Sequence, residues 1–324
     1  MGIGLKLALA GAFAVLASTA AAQTKWDLPA AYPATNFHTV NMQKFADAVK
    51  ERTGGKLLIT IHPGGALFKA PDIKRAVQTG QAQIGEILIS NFENEDPVYG
   101  LDVVPFLATS FADARKLWAA QKPVLEKKVA AQGMIALFSV PWPPQGLYAK
   151  KEITQLSDMK GLKFRAYNRG TSRIAELTGA QPITIQAAEL SQALATGKAD
   201  SFISSGATGV DAKVWEQLTH FYDTQAWLPK DLVLVNKAAF DKLDEATRKI
   251  VLEEAVKAEA LGWAESERLA KGFLETLAKN GMKVAPPSAK LAAEYKELGQ
   301  KLTQEWLEKA GAEGKALVEA YRKM

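Results

Sequence analysis

The sequence predicts an α/β protein built as two lobes, and three observations carry that expectation. The chain has 324 residues, more than one hydrophobic core ordinarily organises. Short apolar stretches alternate with amphipathic ones in two separate blocks, the grammar of strands and helices layered in an α/β fold. A late segment, 244–280, keeps helical periodicity without a proline for longer than one small lobe is wide.

The first 22 residues read as an export signal and not as part of the fold. Lys6 supplies a minimal positive start, 7–17 is an apolar run, and Ala20-Ala21-Ala22 is a small-residue cleavage site that leaves Gln23 first. A membrane anchor is the competing reading, but the run is shorter than the ~20 residues a spanning helix needs. No cysteine stands at the cleavage site, so a lipid-anchored form is not expected.

From there the elements follow in order. Residues 25–28 can begin a strand, and Tyr32-Pro33-Ala34-Thr35-Asn36 is a loop. A helix over 37–52 carries Val40, Phe45, Ala46 and Val49 as its stripe, and Thr53-Gly54-Gly55 closes it. Residues 56–61 form a buried strand, Pro63-Gly64-Gly65 a turn, 73–77 a helix and 83–89 another strand. This β–α–β–α–β order predicts a parallel sheet. The pattern restarts with strands at 134–140, 162–166, 181–185, 199–203 and 232–235, and helices over 171–178 and 187–196. Asp244 is a good N-cap for the long late helix, and Asn280-Gly281 a good stop. Two shorter helices broken near Gly262 or Gly272 remain an alternative to a single spine.

Composition removes several function classes. There is no cysteine, so thiol nucleophiles, thiolate zinc sites, iron–sulfur clusters and disulfides are excluded. The net charge of +5 falls by one when Lys6 leaves, and basic residues are interleaved with acidic ones. No stripe for nucleic acid results, though a mild field would favour anionic solutes. His38, His62 and His220 lie far apart, so no metal site is expected, and no cofactor fingerprint or phosphate loop is present. Ser204-Ser205-Gly206 lacks the flanking pattern of a nucleophile elbow. Binding is therefore favoured over catalysis.

Several stretches, taken together, resemble a known family. They are Glu51-Arg52-Thr53-Gly54-Gly55-Lys56-Leu57, Pro63-Gly64-Gly65-Ala66-Leu67-Phe68 and Gly80-Gln81-Ala82-Gln83-Ile84-Gly85. Further on come Leu156-Ser157-Asp158-Met159-Lys160-Gly161-Leu162-Lys163-Phe164-Arg165 and the run from Glu189 to Asp200. In order and over nearly all of the mature chain, they are similar to the solute-binding component of tripartite ATP-independent periplasmic (TRAP) transporters, the DctP type. The resemblance implies a two-lobed periplasmic binding protein fold with hinge strands and a long bridging helix. The lobes would be discontinuous, 23–142 with 231–270 and 143–230 with 271–324. It also implies a monomeric periplasmic receptor that closes on a small organic carboxylate and then docks on a small and a large membrane subunit.

The same resemblance makes Arg165 the carboxylate anchor. The chemistry agrees, since a guanidinium presents two parallel N–H groups to a carboxylate; pairing with an acid such as Glu176 is the alternative. Asn168 matches a position that often meets ligand, but Tyr167-Asn168-Arg169-Gly170 is equally good turn composition. Gln145 stands where some members carry a second basic group, and Ser204 and Ser205 stand where many have asparagine. Those departures weaken the case for a dicarboxylate or sugar acid. Trp142, Phe202, Tyr222 and Trp227 could wall the crevice, which suits a monocarboxylate with an aromatic or apolar body, such as an aryl or 2-oxo acid. In the first lobe Asn36, His38, Phe68, Ser90 and Asn91 follow strands, where a crevice opens. A binding protein of an ATP-driven importer and an exported enzyme are the alternatives.

Overall fold

The computed structural model describes residues 23–324; the segment read as an export signal lies outside the described residues. The chain opens with β1 (Thr24–Pro29), α1 (Phe37–Arg52), β2 (Leu57–His62), α2 (Ala70–Gln78) and β3 (Ile84–Leu88). Short 3-10 turns lead to α3 (Phe111–Ala131) and β4 (Met134–Pro141). Then follow β5 (Gln145–Ala149), β6 (Lys163–Ala166), α4 (Arg169–Leu177), β7 (Gln181–Thr184), α5 (Leu190–Ala195), β8 (Ser201–Ser205), α6 (Gly206–Asp211) and β9 (His220–Tyr222). The chain ends with β10 (Lys230–Asn236), α7 (Lys237–Asp241), α8 (Glu245–Lys279), β11 (Lys283–Ala285) and α9 (Ala289–Arg322).

Two sheet systems define the lobes. In the first, β1 and β2 pair in parallel, while β10 lies between β3 and β4 and runs antiparallel to both. The second is a six-stranded sheet in the order β11-β9-β5-β8-β6-β7. The expected parallel sheet is therefore corrected to a mixed one. Its local β–α units are parallel, but β10 returns from far along the chain and enters against them, and β5 runs antiparallel to both β8 and β9. Alternation along the sequence records neighbours in the chain, and these strands are neighbours only in space.

The lobes are joined by a two-stranded hinge. The chain leaves the first sheet through Trp142-Pro143-Pro144 and returns through the residues before Lys230. Trp142 N–H donates to Pro229 O at 2.8 Å, Gln145 N–H to Trp227 O at 2.9 Å and Ala226 N–H to Gln145 O at 2.9 Å. The prolines suit a crossing whose N–H groups have no further strand to serve.

The late helix is single and unbroken over 35 residues, about 50 Å at 1.5 Å per residue. Asp244 accepts from Thr247 N–H at 2.8 Å as its N-cap, worth about 1 kcal/mol. At the other end Gly281 takes φ of +94°, which a residue with a Cβ would resist. The helix packs on α1 and β4 in the first lobe and on α6 and β11 of the second. The helix runs on through Gly262 and Gly272, where a break was an alternative, and Gly262 lies so close to Val140 that a Cβ there would meet it at 2.3 Å. The C-terminal helix α9 spans the lobes as well. Leu291, Tyr295 and Leu298 join the core of the six-stranded sheet, and Leu317 and Val318 pack with Leu101 and Leu117 beyond a kink at Gly311.

The cores explain the division. One apolar cluster unites the first sheet with α1, α2, α3 and α8, and two others cover opposite faces of the six-stranded sheet. Among the described residues, no helix is long and apolar enough to cross a membrane.

Candidate ligand-binding site

A cleft opens between the lobes beside the hinge, about 550 Å³ with the open space at its mouth included. The second lobe contributes Arg165, the third residue of β6, held in register by Phe202 of β8 on one side and Ile183 of β7 on the other. Its side chain is only 3% exposed. Nε donates to Ile185 O at 2.8 Å, and the guanidinium stacks over the rings of Tyr167 at 5.0 Å and Phe202 at 5.9 Å. Glu176, the alternative partner named from the sequence, is instead bonded to Arg173 at 3.0 Å. Among the described residues no carboxylate forms an ion pair with Arg165. Burial lowers its pKa to about 10, so it stays charged at neutral pH and lacks a counter-ion.

Tyr167 fixes the neighbouring wall. Its hydroxyl accepts from Trp227 Nε1 at 3.0 Å and turns toward Gln145 Oε1 at 3.5 Å. Gln145 in turn donates Nε2 to Pro143 O at 3.0 Å, which orients its amide across the hinge. From β8 and α6 come two hydroxyls, with Ser204 Oγ donating to Thr208 Oγ1 at 2.8 Å.

The first lobe supplies an unusual acidic wall. Glu86 of β3 and Asp231 of β10 are both buried. Burial and the neighbouring Asp231 charge push Glu86 well above the ordinary carboxylate range, and burial does the same for Asp231. Asp231 accepts from Tyr32 Oη at 3.2 Å and from Trp142 Nε1 at 3.1 Å. Those two donors favour the charged form of Asp231, a support that Glu86 Oε2 lacks. Among the described residues its Oε2 has no partner, although Glu86 lines the cleft.

His38 completes this cluster, with Nδ1 3.4 Å from Asp231 Oδ2 and 3.8 Å from Glu86 Oε1. Burial pushes its pKa well below the usual value, so it is neutral. These three residues could in principle offer one ligand atom each to a metal ion. Both Asp231 oxygens are already engaged by Trp142 and Tyr32, so the arrangement is that of a hydrogen-bonded network.

Of the residues singled out in the sequence, Arg165, Gln145, Trp142, Ser204 and Asn91 meet on the wall of this one cleft. Others lie one layer back. Trp227 and His38 support the wall as described, and Ser205 caps α6. Phe68 packs half-buried on the first core. Asn168 caps α4 and donates Nδ2 to Ser90 Oγ at 2.9 Å, and Asn36 caps α1 and donates Nδ2 to Asp211 Oδ2 at 2.6 Å. Sequence reasoning missed Tyr32, Glu86, Tyr167, Thr208 and Asp231. The signal for two of them was present, since Glu86 and Asp231 are charged residues in or beside strongly apolar strands, where a charge needs a partner or a purpose.

Known proteins place this architecture. Residues 30–310 match the family described as bacterial extracellular solute-binding protein, family 7, DctP. DctP6 of Bordetella pertussis, an extracytoplasmic solute receptor binding pyroglutamic acid, is 56% identical over 93% of this chain and 100% of its own, with a TM-score of 0.91. A marine metagenome TRAP solute-binding protein specific for pyroglutamate is 50% identical over 94% of this chain and all of that one (100%), with a TM-score of 0.92. DctP7 of B. pertussis, which also binds pyroglutamic acid, is 43% identical over 92% of this chain and 99% of its own, with a TM-score of 0.91. With this fold and an unpaired arginine at the lobe crevice, the chain belongs to the DctP family of extracytoplasmic solute-binding proteins and is a TRAP solute receptor, a binding protein and not an enzyme.

Proposed function

We propose that this receptor captures a small cyclic monocarboxylate of the pyroglutamate class. The observation that carries the reading is a pair of unmet needs on opposite walls of one cleft. Among the described residues the Arg165 guanidinium has no counter-ion, and Glu86 Oε2 has no donor. A lactam acid answers both: its carboxylate lies along the guanidinium, and its ring N–H reaches Glu86. The lactam carbonyl is then free to accept from a hydroxyl or amide of the rim, such as Ser204 or Gln145. Trp142, Tyr32 and Tyr167 enclose the apolar ring edge. Three relatives of 43% identity or more bind pyroglutamate, which supports the same class here.

In this reading the lobes, 23–142 with 231–270 and 143–230 with 271–324, turn about the hinge and close over the ligand. The site residues are Arg165, Gln145, Trp142, Ser204 and Asn91, joined by Glu86. Residues 1–22 direct export and are removed. The closed form delivers its ligand to the small and large membrane subunits of a TRAP transporter.

The test is calorimetry and thermal shift of residues 23–324 with pyroglutamate, proline, glutamate, pyruvate and succinate. Ligand at 100 times its dissociation constant adds about 2.7 kcal/mol to stability. Pyroglutamate is expected to give the largest shift. Tighter binding of succinate or pyruvate would overturn the lactam reading.

A further inference from the structure

Polar residues at the cleft rim are usually read as ligand contacts, but two pairs of them here spend their side chains on each other, across the lobes. Asn36, on the loop between β1 and α1 in the first lobe, donates Nδ2 to Asp211 Oδ2 at 2.6 Å. Asp211 ends α6 in the second lobe, one turn beyond Thr208 on the cleft wall. Separately, Asn168 at the start of α4 in the second lobe donates Nδ2 to Ser90 Oγ at 2.9 Å, just after β3 in the first. Ser90 and Asn168 flank the cleft-lining Asn91 and Tyr167.

We infer that Asn36–Asp211 and Ser90–Asn168 are a pair of closure latches, positioning residues that exist as bonds only when the lobes are shut and that set how long ligand is held. Resting on the lobe-closure reading above, this assigns the lifetime of the complex to residues that need not touch the solute.

Three features favour the latch reading. Each latch joins segments far apart in the chain, 175 residues for the first and 78 for the second. In each, the asparagine also caps a helix with its Oδ1, to His38 N–H at 2.8 Å and Thr171 N–H at 2.9 Å. The cap fixes the side chain, so the outward amide is already aimed and little rotamer entropy is lost on closing. Burial lifts Asp211 only to about 6, so at neutral pH it is an ionised acceptor and the Asn36 bond is charge-assisted. Around it stand Asn36 and the Tyr148 phenol, and among the described residues no cation pairs with it.

The test exploits the double role of the cap. Asn36→Asp keeps a capping oxygen but sets a second carboxylate against Asp211. The swap Asn36→Asp with Asp211→Asn restores the bond with donor and acceptor exchanged. Ser90→Ala probes the second latch independently. The chain has no cysteine, so exposed Lys50 and Lys160 can be replaced by cysteine and spin-labelled to read the interlobe distance. Two readouts are taken, the closed fraction without ligand and the dissociation rate of pyroglutamate. Asn36→Asp is expected to lower the closed fraction and raise the dissociation rate about tenfold or more, the swap to return it to within about threefold, and Ser90→Ala to raise it several-fold. A swap no better than the single change, or a single change that leaves both readouts at the parent value, would overturn the latch. Failure of pyroglutamate to close the parent protein would overturn the ligand class instead, and the ligand-free closed fraction would then decide the latch.

Discussion

The Lys230 ammonium lies 3.6 Å from the Asp102 carboxylate, and neither side chain has any exposure to water. Asp102 Oδ2 also accepts the Lys230 backbone N–H at 2.7 Å, so one carboxylate fixes the first residue of β10 where it leaves the hinge. The pair is costly. Burial raises Asp102 and lowers Lys230, and both Lys230 Nζ and Asp102 Oδ1 lack a hydrogen-bond partner. Losing one partner strands the other charge, so Asp102→Ala is expected to cost about 3–5 kcal/mol. Lys230→Met with Asp102→Leu is expected to cost far less than the two single changes summed. Urea unfolding of the four proteins checks it, and additivity would refute the coupling.

Arg165 is the opposite case, a buried charge with no ion pair among the described residues, and the proposed function gives it the ligand carboxylate as partner. Removing it should therefore cost binding without costing the fold. Arg165→Met is expected to unfold at the same temperature as the parent or higher without ligand, while losing at least about a hundredfold in affinity for pyroglutamate. Arg165→Lys retains charge but not the bidentate fork and should lose nearly as much. Thermal melts with and without ligand separate the two effects. Equal destabilisation of the ligand-free protein would make Arg165 structural.

Arg165 shows what the sequence could and could not convey. Arg165 was legible because it stands near the end of a strand in a recognisable motif, and its freedom from Glu176 was not, because Glu176 turns to Arg173 one turn away on the same helix. The boundaries of α1 and α8 were legible from caps and periodicity. The antiparallel entry of β10 was not, because register between distant strands leaves no local mark. Asn36 and Asn168 were legible as cap or turn residues and as polar groups near a crevice. That each is a cap whose free amide spans the lobes depends on where α6 and β3 come to rest, which no local pattern encodes.

The Glu86–Asp231 pair gives a pH dependence with a defined sign. Glu86 is held well above its ordinary 4.5 by burial and by Asp231, so the folded state binds more protons than the unfolded chain above that value. Stability from this pair is complete below about 4.5 and is lost as pH rises through the folded-state range. Glu86→Gln keeps the shape and supplies a permanent donor to Asp231. The variant is expected to be more stable than the parent at pH 8–9, with the gap narrowing toward pH 5. If Glu86 serves as an acceptor for a ligand N–H, the amide oxygen of glutamine serves equally, and affinity for pyroglutamate should fall by less than about tenfold. Denaturant titrations across pH, with calorimetry at pH 7, test both. A gap that widens at low pH would reverse the assignment.

Two glycines of α8 make the last prediction, because the same substitution should have opposite signs only ten positions apart. A Cβ built on Gly262 would meet Val140 Cγ2 at 2.3 Å and Asn41 Nδ2 at 2.9 Å, while one on Gly272 meets nothing within 4 Å. Gly262 is thus a close approach of helix to sheet, and Gly272 is an exposed helix position that bears only the entropic cost of glycine. Gly272→Ala is expected to stabilise by about 0.5–1 kcal/mol. Gly262→Ala must displace Val140 of β4, two residues before Trp142 on the cleft wall, and is expected to cost about 1–3 kcal/mol. Because Asn41 also bonds Ala258 O at 3.0 Å, Gly262→Ala should disturb the α1–α8 contact as well. Hydrogen exchange along α8 is therefore expected to rise around 258–266 in that variant alone, and equal protection in the two variants would show that the helix is not held by this contact.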